Sequence, residues 1–122
     1  MNALHWFEIP ARDIERAQRF YETLLATPLK REPMGEQTLA IFPYTQGEGV
    51  GGCLISGPQV PPPSREGTLV YLPAAPDLDT VLARVQAAGG RIATPKVTLP
   101  DLGVFAHVED SEGNRVGLFA PT

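Results

Sequence analysis

The sequence predicts an α+β fold built from two tandem βαβββ modules, and three features carry that prediction. The chain repeats its pattern at an interval of 64 residues. Each copy opens on a short apolar stretch that runs into a segment of helical periodicity, "LHWFEIP" into "DIERAQRFYETLL" and "TLVYLP" into "DLDTVLARVQAAGG". Each of these helices is followed by three segments of strand character. A repeat of this length is too long for a solenoid unit and too short for two independent domains, so the halves are expected to share one core.

The 64-residue shift lays Asp13 on Asp77, Ile14 on Leu78, Ala17 on Val81, Tyr21 on Val85 and Leu24 on Ala88, positions that face a core at helical spacing. Asp13 and Asp77 each precede an apolar-periodic run, where a carboxylate accepts the free amide hydrogens of a helix's first turn. Gly89 and Gly90 close the second helix with left-handed backbone; the first has no glycine there and is expected to stop near Pro28. The following strands are about "PLKREPM", "TLAIFP" and "VGGCLIS" in the first half and "RIATPKV", "VFAHVE" and "RVGLFA" in the second. "DSEGN" joins the last two as a hairpin, since Asp, Gly and Asn suit tight or left-handed turns. The expected organisation is one domain over 1–122, with a first module over about 1–57, a proline-rich connection over about 58–66 and a second module over about 67–122. That connection, "PQVPPPSREG", reads as a stiff, extended linker or as a lid over a site.

A chain of 122 residues that is 43% hydrophobic fits a single domain with a sizeable core. A net charge of −4 without a basic cluster argues against nucleic acid and anionic membrane surfaces as partners. No apolar run approaches the ~20 residues needed to cross a bilayer. The first residues lack a charged lead followed by an apolar stretch, so a soluble cytoplasmic protein is expected. Cys53 is the only cysteine, which excludes an intramolecular disulfide and fits a reducing compartment.

"FEIPARDIERAQRFYETLL" resembles the opening of the vicinal oxygen chelate superfamily, which holds glyoxalase I, extradiol dioxygenases, fosfomycin-resistance enzymes and bleomycin-binding proteins. Its strongest signal is the pattern at Asp13, Arg16, Ala17, Phe20 and Tyr21, and "DSEGNRVGLFA" resembles the closing hairpin of the same group. The scaffold hosts unrelated reactions as well as plain binders, so the likeness fixes no activity. It implies mixed sheets curled into a cup flanked by helices and commonly completed by a second subunit, hence a homodimer. It also implies a divalent metal held by His and Glu from the first and last strand of each module. Counted seven residues back from Asp13 and Asp77, the first-strand positions are Trp6 and Val70; the usual glutamate of the closing hairpin falls on Gly117, and its counterpart on Cys53. Of these four only Cys53 can bind a metal, against the roughly three protein ligands of a catalytic divalent site. The expectation is therefore a divergent member with no metal and no other cofactor. A slip of one residue would bring in His5, but it would turn Phe7 and Ile9 into the cup.

If Trp6 points into the cup, alternation brings Glu8 with it and leaves Phe7 and Ile9 beneath the helices. In the second copy the same reading turns Val70 and Leu72 inward and Leu69 and Tyr71 toward the helices. Phe105, His107, Gly117 and Phe119 share the cup face of the last hairpin, and repeat symmetry adds Leu39, Ile41, Cys53 and Ile55. An apolar wall with few convergent polar groups is the make-up of a small-molecule site. Glu8 and His107 are the candidate catalytic pair, because a carboxyl in apolar surroundings has a raised pKa suited to acid or base work near neutrality. The competing reading is a structural hydrogen bond between them. Trp6, Ile41, Cys53, Ile55, Val70, Leu72, Phe105 and Phe119 form the candidate substrate-binding wall, with Trp6 either a stacking platform for a flat ligand or core filler. Cys53 has no basic neighbour in "GGCLIS" and reads as a small buried apolar residue. Lys96 and Arg65 read as solvated cations within reach of a ligand carboxylate, and His5 as a packed or surface histidine. "GVGG" at 49–52 lacks the Lys-Ser/Thr of a phosphate loop and serves to bend a strand.

Three functional classes follow. One is a metal-free pocket enzyme that moves a proton on a small organic substrate through Glu8 and His107. The second is a binder that sequesters a drug or metabolite. The third is a metal-dependent lyase, isomerase or dioxygenase with displaced ligands, for which His5, Glu8 and His107 are the candidates and against which the glycine at position 117 counts most.

Overall fold

The Asp13 carboxylate accepts the Arg16 amide at 3.0 Å and starts helix α1 (Ile14–Leu25) in the computed structural model, which describes residues 2–121. The strand before it is β1 (Trp6–Pro10), and β2 (Lys30–Met34), β3 (Gln37–Ile41) and β4 (Gly51–Ser56) follow. They form one mixed sheet in the order β1-β4-β3-β2, in which β1 runs parallel to β4 and the other pairings are antiparallel. The second half repeats the plan with β5 (Tyr71–Pro73), β6 (Arg91–Leu99), β7 (Gly103–Glu109) and β8 (Arg115–Pro121), in the order β5-β8-β7-β6 with β5 parallel to β8. The fold is thus α+β, with two βαβββ modules whose mixed sheets form the cup and carry the helices on one side.

The second helical segment is broken into α2 (Leu78–Leu82) and α3 (Val85–Ala88) where a single helix is expected from the sequence. At the break the Arg84 amide donates to the Val81 carbonyl at 3.0 Å, a three-residue step that tightens the turn. The Arg84 guanidinium also donates to the Leu24 carbonyl at 3.2 Å, which ties the break to the last turn of α1. Helix α1 itself ends on Ala26, whose φ of 52° places an alanine in left-handed geometry two residues before Pro28.

Ala17, Phe20, Tyr21 and Leu24 form the buried stripe of α1. They join Ile9, Ala40 and Leu54 of the first sheet and Leu72, Ala106, Val108, Val116 and Leu118 of the second in one continuous core. Burial of each large side chain there stabilises the fold by about 1.5–3 kcal/mol. Among the described residues no helix is long and apolar enough to cross a membrane.

The turn between β7 and β8 clamps the two modules together. Asp110 Oδ1 accepts the Glu112 and Asn114 amides at 2.8 and 2.9 Å, while Oδ2 accepts the Tyr21 hydroxyl at 2.6 Å. Burial, reinforced by the Asp110 charge, pushes the Tyr21 phenol well above its ordinary pKa, so it remains a donor. The Asn114 side chain donates to the Pro10 carbonyl at 2.7 Å. Glu112 accepts the Arg12 and Asp13 amides at 2.9 Å each and the Arg16 Nε at 2.6 Å. Its buried carboxylate therefore sits at the N-terminus of α1, where the helix dipole favours negative charge.

Burial opposes ionisation of Glu112, but the bonds from Arg16, the Asp13 amide and Ser111 outweigh it and hold the pKa below the ordinary glutamate value. A carboxyl more acidic in the folded than in the unfolded chain contributes stability that is complete above the unfolded pKa and is lost as pH falls through the folded one. Glu112→Gln is expected to cost about 2–3 kcal/mol in urea denaturation and to flatten the acid limb of the stability profile; identical acid dependence in wild type and variant would refute the clamp. Ala26→Gly is expected to raise stability by roughly 0.5–1 kcal/mol, the relief of left-handed strain less the entropy that glycine gains when unfolded, and a lowered melting temperature would contradict it.

Candidate functional site

Strand alternation gives each sheet a second face, turned away from the helices. On the first sheet Leu39, Cys53 and Ile55 are buried there with Trp6, Ile41 and Val60 packed against them. Val60 comes from the proline-rich connection, which covers this face in part, and Tyr44 meets the Trp6 indole edge-on with ring centroids 5.6 Å apart. Cys53 is fully buried; its thiol is pushed up to about 11 by burial and by the Glu8 charge, so it is not a nucleophile near neutrality.

On the second sheet the corresponding face carries Tyr71, Phe105, His107 and Phe119. Tyr71 and Phe105 pack edge to face at 6.0 Å between centroids, and His107 lies within 5.6 Å of both rings. Tyr71, Phe105 and Phe119 with Leu99 and Pro121 line an open hollow of about 510 Å³. Among the described residues no aromatic pair joins this face to that of Trp6.

The inward orientation expected of Val70 and Leu72 is reversed. Leu72 lies in the helix-side core and Val70 packs against it, while Tyr71 takes the outer face. The pairings explain the reversal: Glu8 is opposite Cys53 and Tyr71 is opposite Gly117, so Tyr71 is the counterpart of Glu8, 63 residues on instead of 64. One extra residue stands between β5 and the Asp77 cap, and a shift of one residue turns every side chain of a strand over. Superposing Pro10 on Pro73 in the two sequence copies would have found it. The corrected shift carries Trp6 onto Leu69, which is no better a metal ligand than Val70.

Gly117 has a structural cause. A Cβ there would stand 2.4–2.8 Å from the Tyr71 ring, which lies across the glycine. The position onto which the resemblance lays the usual glutamate is therefore covered by an aromatic ring. Among the described residues no group of three His, Cys, Asp or Glu side chains comes together. With Trp6, Cys53, Leu69 and Gly117 at the four positions, the donor set does not fit a divalent metal.

Glu8 and His107 are not hydrogen-bonded to each other. The Tyr71 hydroxyl meets His107 Nε2 at 2.8 Å and Arg115 Nη2 meets Nδ1 at 3.2 Å, so both ring nitrogens are engaged. Burial, and then the Arg115 charge, lower the His107 pKa, which leaves the ring neutral at pH 7. Glu8 is exposed and lines a separate hollow of about 170 Å³ with Ser64, Asn114 and Arg115, not the apolar surround expected for it. Arg115, unremarked in the sequence, is thus the residue common to both. Lys96 is paired with Asp79 at 3.1 Å, Arg65 stands 4.0 Å from Glu109, and His5 is exposed.

Gly117→Ala is expected to displace the Tyr71 ring and destabilise the fold by about 1–3 kcal/mol. In a Tyr71→Ala background the same substitution is expected to cost far less, and additive costs in the double-mutant cycle would show that the ring is not what the glycine accommodates.

Residues 3–118 match the Glyoxalase/Bleomycin resistance protein/Dioxygenase superfamily. No curated protein matches the chain significantly. Among solved structures, a glyoxalase I variant from Zea mays superposes with a TM-score of 0.71 at 21% identity; the match takes in 96% of this chain but only 45% of that one. TnmS3, an antibiotic binding protein from Streptomyces sp. CB03234, gives 0.68 at 27% identity, covering 100% of this chain and 98% of that one. A glyoxalase/bleomycin resistance protein from Albidiferax ferrireducens T118 gives 0.70 at 17% identity, covering 99% and 100%. Repeated module, clamped hairpin and family match agree, and the chain belongs to the Glyoxalase/Bleomycin resistance protein/Dioxygenase superfamily.

Proposed function

We propose that the protein binds a flat, largely apolar small molecule on the outer face of its second sheet, without a metal or other cofactor, and holds it without chemical turnover. The observation that carries this reading is the hollow lined by Tyr71, Leu99, Phe105 and Phe119, where aromatic walls supply affinity and Tyr71 brings the one polar side-chain group among the lining residues. The poor fit of the four inherited positions to a divalent ion supports the metal-free part. The engagement of both His107 nitrogens away from Glu8 favours binding over proton transfer by that pair. The likeness to TnmS3 over nearly the whole of both chains supports sequestration as the biological role. A homodimer belongs to the same reading, since a second copy is the usual symmetric way to complete a cup of this kind; sedimentation velocity tests it. The cytoplasmic setting is proposed with it, and cell fractionation tests that.

Titration with naphthalene- and anthracene-sized aromatic compounds, followed by quenching of protein fluorescence, is expected to saturate. Phe119→Ala is expected to weaken binding about tenfold, or ~1.4 kcal/mol, while Glu8→Gln leaves affinity within about twofold of wild type. Failure of every such compound to saturate, or a near-stoichiometric divalent metal in the purified protein by elemental mass spectrometry, overturns the reading.

A further inference from the structure

We infer that Tyr71 is the polar anchor of the second-sheet pocket, presenting its hydroxyl hydrogen to the acceptor oxygen of an aromatic carbonyl compound. His107 and Arg115 act as positioning residues behind it. The inference rests on the pocket reading above and adds the ligand's chemical class.

The direction of the hydrogen bonds follows from what each group can do. A guanidinium has only donors, so the 3.2 Å contact from Arg115 Nη2 requires His107 Nδ1 to be an unprotonated acceptor. The single N–H of the neutral imidazole is then at Nε2, where it donates to the Tyr71 oxygen at 2.8 Å. Having accepted that bond, the phenol keeps its own hydrogen to give. Arg115 cannot reverse the chain, because it never supplies a lone pair, and Nη2 is further held by donating to Thr94 Oγ1 at 2.8 Å. The ring that carries the hydroxyl is fixed by Gly117 beneath it and by Phe105 beside it. Tyr71 is nevertheless 45% exposed and is one of the residues that line the apolar hollow, so its phenol is not sealed inside the core. A flat ligand lying on Phe105 and Phe119 meets one oriented donor there. Quinones, aryl ketones and aryl aldehydes have the matching acceptor; a plain hydrocarbon of the same shape does not.

Two measurements decide it. Wild-type protein is expected to bind 2-acetylnaphthalene roughly five- to tenfold more tightly than 2-ethylnaphthalene, a ratio of the size one hydrogen bond supplies. In Tyr71→Phe, which keeps the ring over Gly117, both probes are expected to bind at the 2-ethylnaphthalene level. Nitrogen-15 NMR is expected to find the His107 proton on Nε2 at neutral pH, and Arg115→Met is expected to mix the tautomers and weaken the preference, which a merely structural arginine would not do. A proton found on Nδ1, a preference that survives Tyr71→Phe, or equal binding of both probes by wild type overturns the anchor and leaves the pocket standing. Failure of wild type to bind either probe overturns both.

Discussion

The buried Glu112 carboxylate is the joint on which the rest of the molecule depends. It belongs to the last hairpin of the second module, and most of its partners belong to the start of the first module's helix. Two backbone amides and an arginine from residues 12–16 converge on it. A buried carboxylate is costly unless it is paired and fully hydrogen-bonded, and here the helix N-terminus supplies the orphan amides that it needs. Each side satisfies the other, which makes the contact directional in a way that the apolar core alone is not. Asp110 and Asn114 extend the same logic, one holding the Tyr21 hydroxyl and the other the Pro10 carbonyl.

With the modules fixed, the difference between their first strands comes from one residue. Both parallel strand pairs place an aromatic ring across a glycine, Phe7 on Gly52 in the first sheet and Tyr71 on Gly117 in the second. Such pairs let a ring lie flat on the neighbouring strand and restrain it without a covalent tie. Phe7 faces the helices and merges into the core, whereas Tyr71 faces outward. The additional residue between β5 and the Asp77 cap turns the short strand over while leaving the helix in place. A packing device of the first module thereby becomes an exposed, immobilised phenol in the second.

Much of this was legible in the sequence. The 64-residue interval, the Asp13 and Asp77 caps and the "DSEGN" turn carry the topology, because capping and turn chemistry act over a few residues. The faces of β1, β3 and β4 followed from alternation once Trp6 was placed. The reversal of β5 is hidden when the interval is taken from the aspartates, whereas the prolines at 10 and 73 record the true register. Two other features are tertiary and leave little local trace. The break after Leu82 sits where Arg84 reaches the end of α1, and the engagement of His107 by Tyr71 and Arg115 joins residues from three strand segments of the second sheet. The role of Glu112 was open to view as an acidic residue in a hairpin, but nothing near it in sequence says that its partners lie about a hundred residues away.

The joint and the pocket are one construction. Arg115 follows directly on Asn114, so the bonds that fix the turn also fix where the guanidinium begins its reach. The Asn114 side chain donates to the Pro10 carbonyl and the Asn114 backbone carbonyl accepts the Asp110 amide, while the Arg115 amide donates to the Ser64 carbonyl of the proline-rich connection at 3.3 Å. From that anchored backbone the side chain passes beside the hollow of Glu8 and ends on His107. Orientation at the pocket is thus set by neutral and permanently charged donors whose polarity can run only one way, and their placement derives from the same turn that joins the modules. The Glu112 joint and the orientation of Tyr71 thus share one stretch of backbone, residues 110–115.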